Sequence, residues 1–127
     1  MILQLRADGD NFSYLAGDDA TRDGFIVDPG GAADIVLAAA RARGVQVRYV
    51  FNTHGHHDHT AGNAAVLRAT GAQLAAHRAD TGGSGGVTLL DGGERLVIGN
   101  GLVEVIHTPG HTAGSICLRF ADGLFTG

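Results

Sequence analysis

The sequence has no lysine, one cysteine and two prolines. Each shortage excludes something. The nine cations are all arginines, spread singly along a chain of net charge −4, so no basic patch exists to hold nucleic acid or an anionic membrane surface. A lone cysteine forbids an intrachain disulfide and fits a reducing compartment, so a cytoplasmic location is expected. No apolar run approaches the roughly 18 residues a membrane span needs. The first residues, "MILQLRADGDNF", lack the basic start and long apolar stretch of a signal peptide. With two prolines and no Gly-X-Y period, the 21 glycines mark turns and close backbone approaches rather than a collagen. The 127 residues make one domain, residues 1–127, able to bury roughly two thirds of its unfolded surface.

What remains reads as layered α and β structure. Residues 2–6 and 12–16 read as strands around the turn "ADGDN", and "GFIVDPGG" at 24–31 as a strand stopped by Pro and Gly. "AADIVLAAARARG" at 32–44 predicts a helix, with Ile35, Ala39 and Ala42 on one face and Gly44 as its left-handed terminator. "VQVRYVFNTH" at 45–54 predicts a strand in which Val45, Val47, Tyr49 and Phe51 alternate, followed by a helix over about 60–70 and a short strand at 72–77. Residues 24–77 therefore read β-α-β-α-β, the sign of a sheet with covering helices. The Gly-rich loop at 79–87 has no Lys and does not match a phosphate-binding loop. Beyond it, hairpins are expected about Asp91-Gly92-Gly93 and Asp122-Gly123.

The chemistry concentrates in "NTHGHHDHTAGN", residues 52–63, with four histidines and an aspartate between His54 and His59. Residues two apart on an extended chain point to one side, so the His54 and His56 imidazoles can converge. Asp58 and His59, placed after a turn at a helix start, can face the same region. Zinc takes His nitrogen and carboxylate oxygen at about 2.0–2.2 Å. A strand end meeting a helix start is also where open α/β sheets place their chemistry. The bland readings, a solvated His-rich loop or metal storage without catalysis, do not explain the fixed short spacing.

A further histidine comes from "HTPGHTAGS" at 107–115. Pro109 and Gly110 can thrust His111 out of the sheet, which favours it as a ligand. His107 reads as a hydrogen-bonded strand-end residue, and His77 as a rim residue at most. His57, between the paired positions, should face away. Cys117, in the strand "SICLRF", reads as a buried core thiol, and Ser115 lacks a nucleophile-elbow context and reads as structural.

These stretches carry a resemblance. "THGHHDH" at 53–59 resembles the His-x-His-x-Asp-His signature of the metallo-β-lactamase superfamily, and "HTPGHTAGS" resembles the second signature of its hydroxyacylglutathione hydrolase (glyoxalase II) branch. "VDPG" at 27–30 and "GLFTG" at 123–127 resemble two further strand ends of that family. The resemblance implies an α+β chain with an αββα sandwich, of which this sequence covers mostly the N-terminal half. It implies His54, His56 and His111 at a first zinc, and Asp58 and His59 at a second metal. The family's metal-bridging Asp would fall at position 128, one past Gly127. A homodimer covering the open sheet face, or a partly folded chain, are the other readings.

The resemblance further implies a hydrolase in which one or two Zn²⁺ ions activate water against a small-molecule thioester or ester, with Asp58 orienting the water. Two alternatives stand beside it. One is a persulfide dioxygenase-like enzyme with a single iron, because His and carboxylate ligands suit iron as well as zinc. The other is a metal-binding fragment without activity.

Overall fold

A computed structural model describes residues 1–6, 11–81 and 86–126. The elements run β1 (Ile2–Arg6), β2 (Phe12–Gly17), β3 (Asp23–Val27), α1 (Ala33–Ala42), β4 (Gln46–Phe51), α2 (His57–Thr60), α3 (Asn63–Thr70), β5 (Gln73–His77), β6 (Val87–Leu90), β7 (Arg95–Ile98), β8 (Gly101–His107), β9 (Ile116–Phe120) and β10 (Gly123–Phe125). They build two sheets, one in the order β1-β2-β3-β4-β5-β6 and the other β10-β9-β8-β7. β3, β4, β5 and β6 are mutually parallel, as the β-α-β-α-β reading requires, while the second sheet is antiparallel throughout.

Two apolar layers follow from the strand alternation. Helices α1 and α3 cover the outer face of the first sheet, where Val36, Leu37, Ala40 and Val66 meet Leu15, Ile26, Val47 and Val50. Between the sheets lie Phe25, Phe51, Leu90, Ile98, Val103, Val105, Ile116, Leu118 and Phe120. Phe25 is the hub, with edge-on ring contacts to Phe51, Phe120 and Phe125 at 5.1–5.7 Å. Truncating it to alanine should cost about 3–5 kcal/mol, as for other buried aromatics. Urea unfolding of Phe25→Ala reads this directly, and a loss under about 1 kcal/mol would show that this packing contributes little.

Four expectations are corrected. The buried face of α1 is Val36, Leu37 and Ala40, while Ile35 is 52 % exposed, because the helix turns its bulkier stripe onto the sheet. Alternation in β4 breaks at a bulge: the register passes from Gly24↔Val47 to Phe25↔Tyr49, so Val47 faces the helices while Tyr49 and Phe51 face the second sheet. The single helix over 60–70 is two pieces, α2 and α3, parted at Gly62. A Cβ there would sit 2.5 Å from the Gly30 carbonyl, so only glycine lets the loop after β3 pack this closely. Last, β6 and β7 do not form a hairpin. β6 pairs parallel with β5, and the turn at Asp91-Gly92-Gly93 carries the chain to the other sheet, where Gly93 N–H already bonds the Val105 carbonyl. Positive φ at Gly92 and Gly93 permits that turn, and Glu94 accepts the N–H groups of Asp91 and Gly92.

The C-terminal ends of β3, β4 and β5 lie side by side, with Val27 opposite Phe51 and Phe51 opposite Ala75. Ile116 N–H, at the start of β9, bonds the Thr53 carbonyl at 2.8 Å and fastens the second sheet to the same end. Everything that follows β3, β4, β5 and β8 therefore meets at one edge of the sandwich. The outer face of the second sheet presents Val97, Leu102 and Leu124, each at least half exposed.

Candidate metal centre

Three imidazoles converge at that edge. The rings of His54, His56 and His111 lie 4.6–4.8 Å apart, centroid to centroid, and their nearest nitrogens fall within one 4.8 Å cluster. His56 and His111 share a ring-to-ring hydrogen bond of 3.0 Å. His111 is carried out on the loop after β8, where Gly110 N–H bonds the Thr112 carbonyl. The structure therefore brings together the three residues expected to form a first site.

The fourth histidine adjoins them. His59 lies on α2 with its ring 4.1 Å from that of His54, and its Nδ1 bonds Asp28 Oδ2 at 3.1 Å. Asp58, on the same turn, is exposed, and its Oδ2 stands 3.8 Å from His59 Nε2. Asn11 donates to that carboxylate at 3.0 Å. This bond is the main cause holding the Asp58 pKa below its ordinary value, which keeps it ionised. The expectation for His57 concerns a side chain outside those described.

Asp28 was legible in the sequence only as part of "VDPG", with no role. It is 1 % exposed and takes φ +49°, a left-handed conformation that Asp tolerates better than most residues. Its carboxylate accepts the Thr53 N–H at 2.8 Å, the Thr53 hydroxyl at 2.5 Å and His59 Nδ1. The Thr53 hydroxyl has one proton, given to Asp28, so at its 3.1 Å contact with His54 Nδ1 it must accept. Neutral His54 then carries its proton on Nδ1 and presents a bare Nε2 lone pair. The same logic leaves His59 Nε2 bare. One buried carboxylate thus fixes the tautomers of two histidines, the usual arrangement behind metal-ligating imidazoles.

His54 Nε2 is the one buried side-chain polar atom without a hydrogen-bond partner among the described residues. Such an orphan is costly and uncommon. Burial first, then the neighbouring His59, pushes the His54 pKa down, so it stays neutral. The hydrogen bond to Asp28 raises that of His59. A divalent cation is the partner this donor set fits: a buried bare nitrogen on His54, imidazole nitrogens of His56 and His111 within 4.8 Å of one another and of it, and carboxylates close by.

Asp80, at the end of a short turn after β5, accepts Gly55 N–H at 2.8 Å, Gly114 N–H at 2.9 Å and the Thr112 hydroxyl at 2.6 Å. Burial raises its pKa, but these hydrogen bonds outweigh burial and hold it below the ordinary value. His77 and His107 stack on each other at 4.1 Å, away from the cluster. His107 Nε2 meets the Ala113 carbonyl and His77 Nδ1 accepts Ala79 N–H, in keeping with their structural reading. Ser115 is likewise structural, accepting Thr112 N–H. Cys117 departs from expectation. Ile116, Leu118 and Phe120 take the inward positions of β9, so the thiol lies on the outer face, half-exposed, 3.5 Å from the Thr108 hydroxyl.

A cavity of about 250 Å³ opens over the cluster, lined by Thr53, His54, His59, Thr108, His111, Ser115, Ile116 and Thr126.

Comparison with known proteins agrees with this geometry. The profile of the metallo-beta-lactamase superfamily matches residues 6–127, and the chain belongs to that superfamily. It is 43% identical over 130 residues to the hydroxyacylglutathione hydrolase of Anaeromyxobacter dehalogenans, covering all of this chain and 49% of that protein. It is 44% identical over 111 residues to the hydroxyacylglutathione hydrolase of Polaromonas sp., covering 86% and 42%. The chain spans about half the length of the curated relatives it matches. Among solved structures, ETHE1 from Myxococcus xanthus superposes with a TM-score of 0.88 at 29% identity, covering all of this chain and 56% of that one. The BLEG-1 B3 metallo-beta-lactamase shares the fold, with a TM-score of 0.77 at 24% identity, over 94% of this chain and 67% of that one. Among the described residues no helix is long and apolar enough to cross a membrane.

Proposed function

We propose that this chain carries the metal-binding half of a zinc-dependent hydrolase for small thioesters or esters, of the hydroxyacylglutathione hydrolase type. The observation that carries the reading is the buried, unpartnered His54 Nε2 inside a cluster with His56 and His111. His54, His56 and His111 would hold one cation, and His59 with Asp58 would serve a second. A divalent cation there supplies Lewis acidity, which acidifies water and stabilises negative charge on a carbonyl oxygen.

The chain's own residues do the rest. Asp28 holds His54, through Thr53, and His59 in the tautomers that present Nε2. Asp58, ionised and steadied by Asn11, can accept a proton from a water beside it. The cavity has room for a small acyl group, and Thr108, Ser115 and Thr126 make part of its wall polar. Support for the thioester class comes from the curated relatives, which bear the name hydroxyacylglutathione hydrolase.

A second reading, a mononuclear iron enzyme acting on a persulfide, draws on the donor chemistry and the likeness to the ETHE1 structure. The test reconstitutes the purified chain with zinc and iron separately and measures metal per chain by elemental mass spectrometry, then assays thioester hydrolysis. One or two zincs retained, with turnover, is the expected result. Stoichiometric iron with sulfite formed from glutathione persulfide would displace hydrolysis, and zinc retained without turnover would leave a metal-binding fragment.

A further inference from the structure

The three first-site histidines come from two separate loops. His54 and His56 follow β4, and His111 follows β8, in the other sheet. Gathering them requires the loops to hold a fixed register across the edge of the sandwich. Direct contact supplies little of it: among the described residues the three rings share one hydrogen bond, between His56 and His111.

Asp80 lies between the loops; its Oδ2 bridges both and its Oδ1 adds a second bond to the His111 loop. Oδ2 takes Gly55 N–H, from the residue between His54 and His56, and the Thr112 hydroxyl, from the residue after His111. Oδ1 takes Gly114 N–H, two residues further on. The approach is close on both sides. A Cβ on Gly55 would stand 2.8 Å from the Asp80 carbonyl oxygen, and one on Gly114 would stand 2.5 Å from Oδ1. Glycine at 55 and 114 is what lets one carboxylate reach two backbones.

From this geometry we infer that Asp80 is a positioning residue: a carboxylate clamp that sets the register of the two histidine-bearing loops and so preorganises the first metal site. The inference rests on the metal-centre reading above. A carboxylate suits the task because it offers two acceptor oxygens and no donor, whereas an amide offers one acceptor and would turn an N–H towards an N–H. Asp80→Asn keeps size and shape but must lose at least one of the three bonds and set an N–H₂ group against Gly55 N–H or Gly114 N–H.

The experiment compares the wild-type chain with Asp80→Asn and Thr112→Val. Zinc affinity is measured by competition with a chromophoric chelator, and the site is viewed by the visible spectrum of its cobalt(II) form. Near-ultraviolet circular dichroism of the metal-free chains reports whether each variant folds. Asp80→Asn is expected to weaken zinc roughly 10–100-fold, as losses behind a metal ligand usually do, and to alter the cobalt bands. Thr112→Val, which removes one of the three bonds without touching charge, should weaken zinc by a smaller factor, roughly 2–10-fold, and serves if Asp80→Asn does not fold. Zinc bound by Asp80→Asn within about threefold of wild type, with an unchanged cobalt spectrum, would overturn the clamp alone. Should Asp80→Asn not fold, unchanged zinc affinity in Thr112→Val would do the same. Failure of the wild-type chain to bind zinc would overturn the metal-centre reading and the clamp together.

Discussion

Alanine in place of His54 is expected to abolish specific zinc binding while leaving the metal-free protein about as stable as before. The two halves have separate causes. His54 is the ligand candidate whose free nitrogen is buried, so its loss takes a desolvated donor out of the cluster. Losses behind a metal ligand already cost 10–100-fold in affinity, and loss of a ligand itself should cost at least about 100-fold. At zinc 100-fold above the wild-type dissociation constant, the metal adds about 2.7 kcal/mol to stability, so the wild-type melting temperature should rise by roughly 10 °C. That rise should vanish in His54→Ala. Without metal, the ordinary result of truncating a buried side chain would be a loss. Here the imidazole also brings a buried nitrogen with no partner, which costs about 1–3 kcal/mol. Removing it offsets the lost packing. Thermal melts of both chains with and without zinc check the pair of claims. A zinc-dependent rise that survives the substitution would remove His54 from the site. A metal-free loss beyond about 3 kcal/mol would show that the orphaned nitrogen is not the dominant cost.

Much of the sandwich was legible because periodicity and punctuation agree. Gly44 and Gly71 close α1 and α3 at φ +65° and +68°, and the parallel run β3-β4-β5 follows from strands separated by helices. The misreadings share one cause: the deciding partner is distant in sequence. Whether α1 buries Ile35 or Val36 depends on Val50 and Val66, and no local pattern names them. The Asp91-Gly92-Gly93 turn has the composition of a hairpin turn. Only the pairing of β6 with β5 and of β7 with β8 shows that it joins two sheets.

The candidate site divides in the same way. His54, His56, Asp58, His59 and His111 were readable because metal ligands cluster in sequence at strand ends. The residues that hold them were not. Asp28 lies 25 positions from Thr53, Asn11 lies 47 from Asp58, and Asp80 lies 25 from Gly55.

 An aspartate before Pro29 at a strand end, or one closing a short turn, is common enough to carry no signal alone. Its meaning appears only when the parallel strands set their C-terminal ends side by side.

Asparagine at position 28 should be the most disruptive isosteric change at this edge. The backbone gives no reason for failure, since Asn accepts φ near +49° as readily as Asp. The hydrogen bonds do. Asp28 receives three donors and offers none, from Thr53 N–H, the Thr53 hydroxyl and His59 Nδ1. An amide must direct its own N–H₂ at one of them, inside a site that water does not reach. The cost should be about 2–4 kcal/mol, the scale of breaking a buried charged hydrogen bond. Part of it should depend on pH, with a definite sign. Asp28 raises the pKa of His59 above the ordinary imidazole value near 6.5. The stability this contributes is therefore fully present below about pH 6.5 and is lost as pH rises through the raised value. The gap between wild type and Asp28→Asn, measured by urea unfolding of the metal-free chains, should be wider at about pH 6 than at about pH 9. The Thr53 bonds do not titrate with His59, so a gap should persist at the higher pH. A gap that widens as pH rises would mean that His59 is not held by Asp28, and the assignment of its bare Nε2 would fall with it.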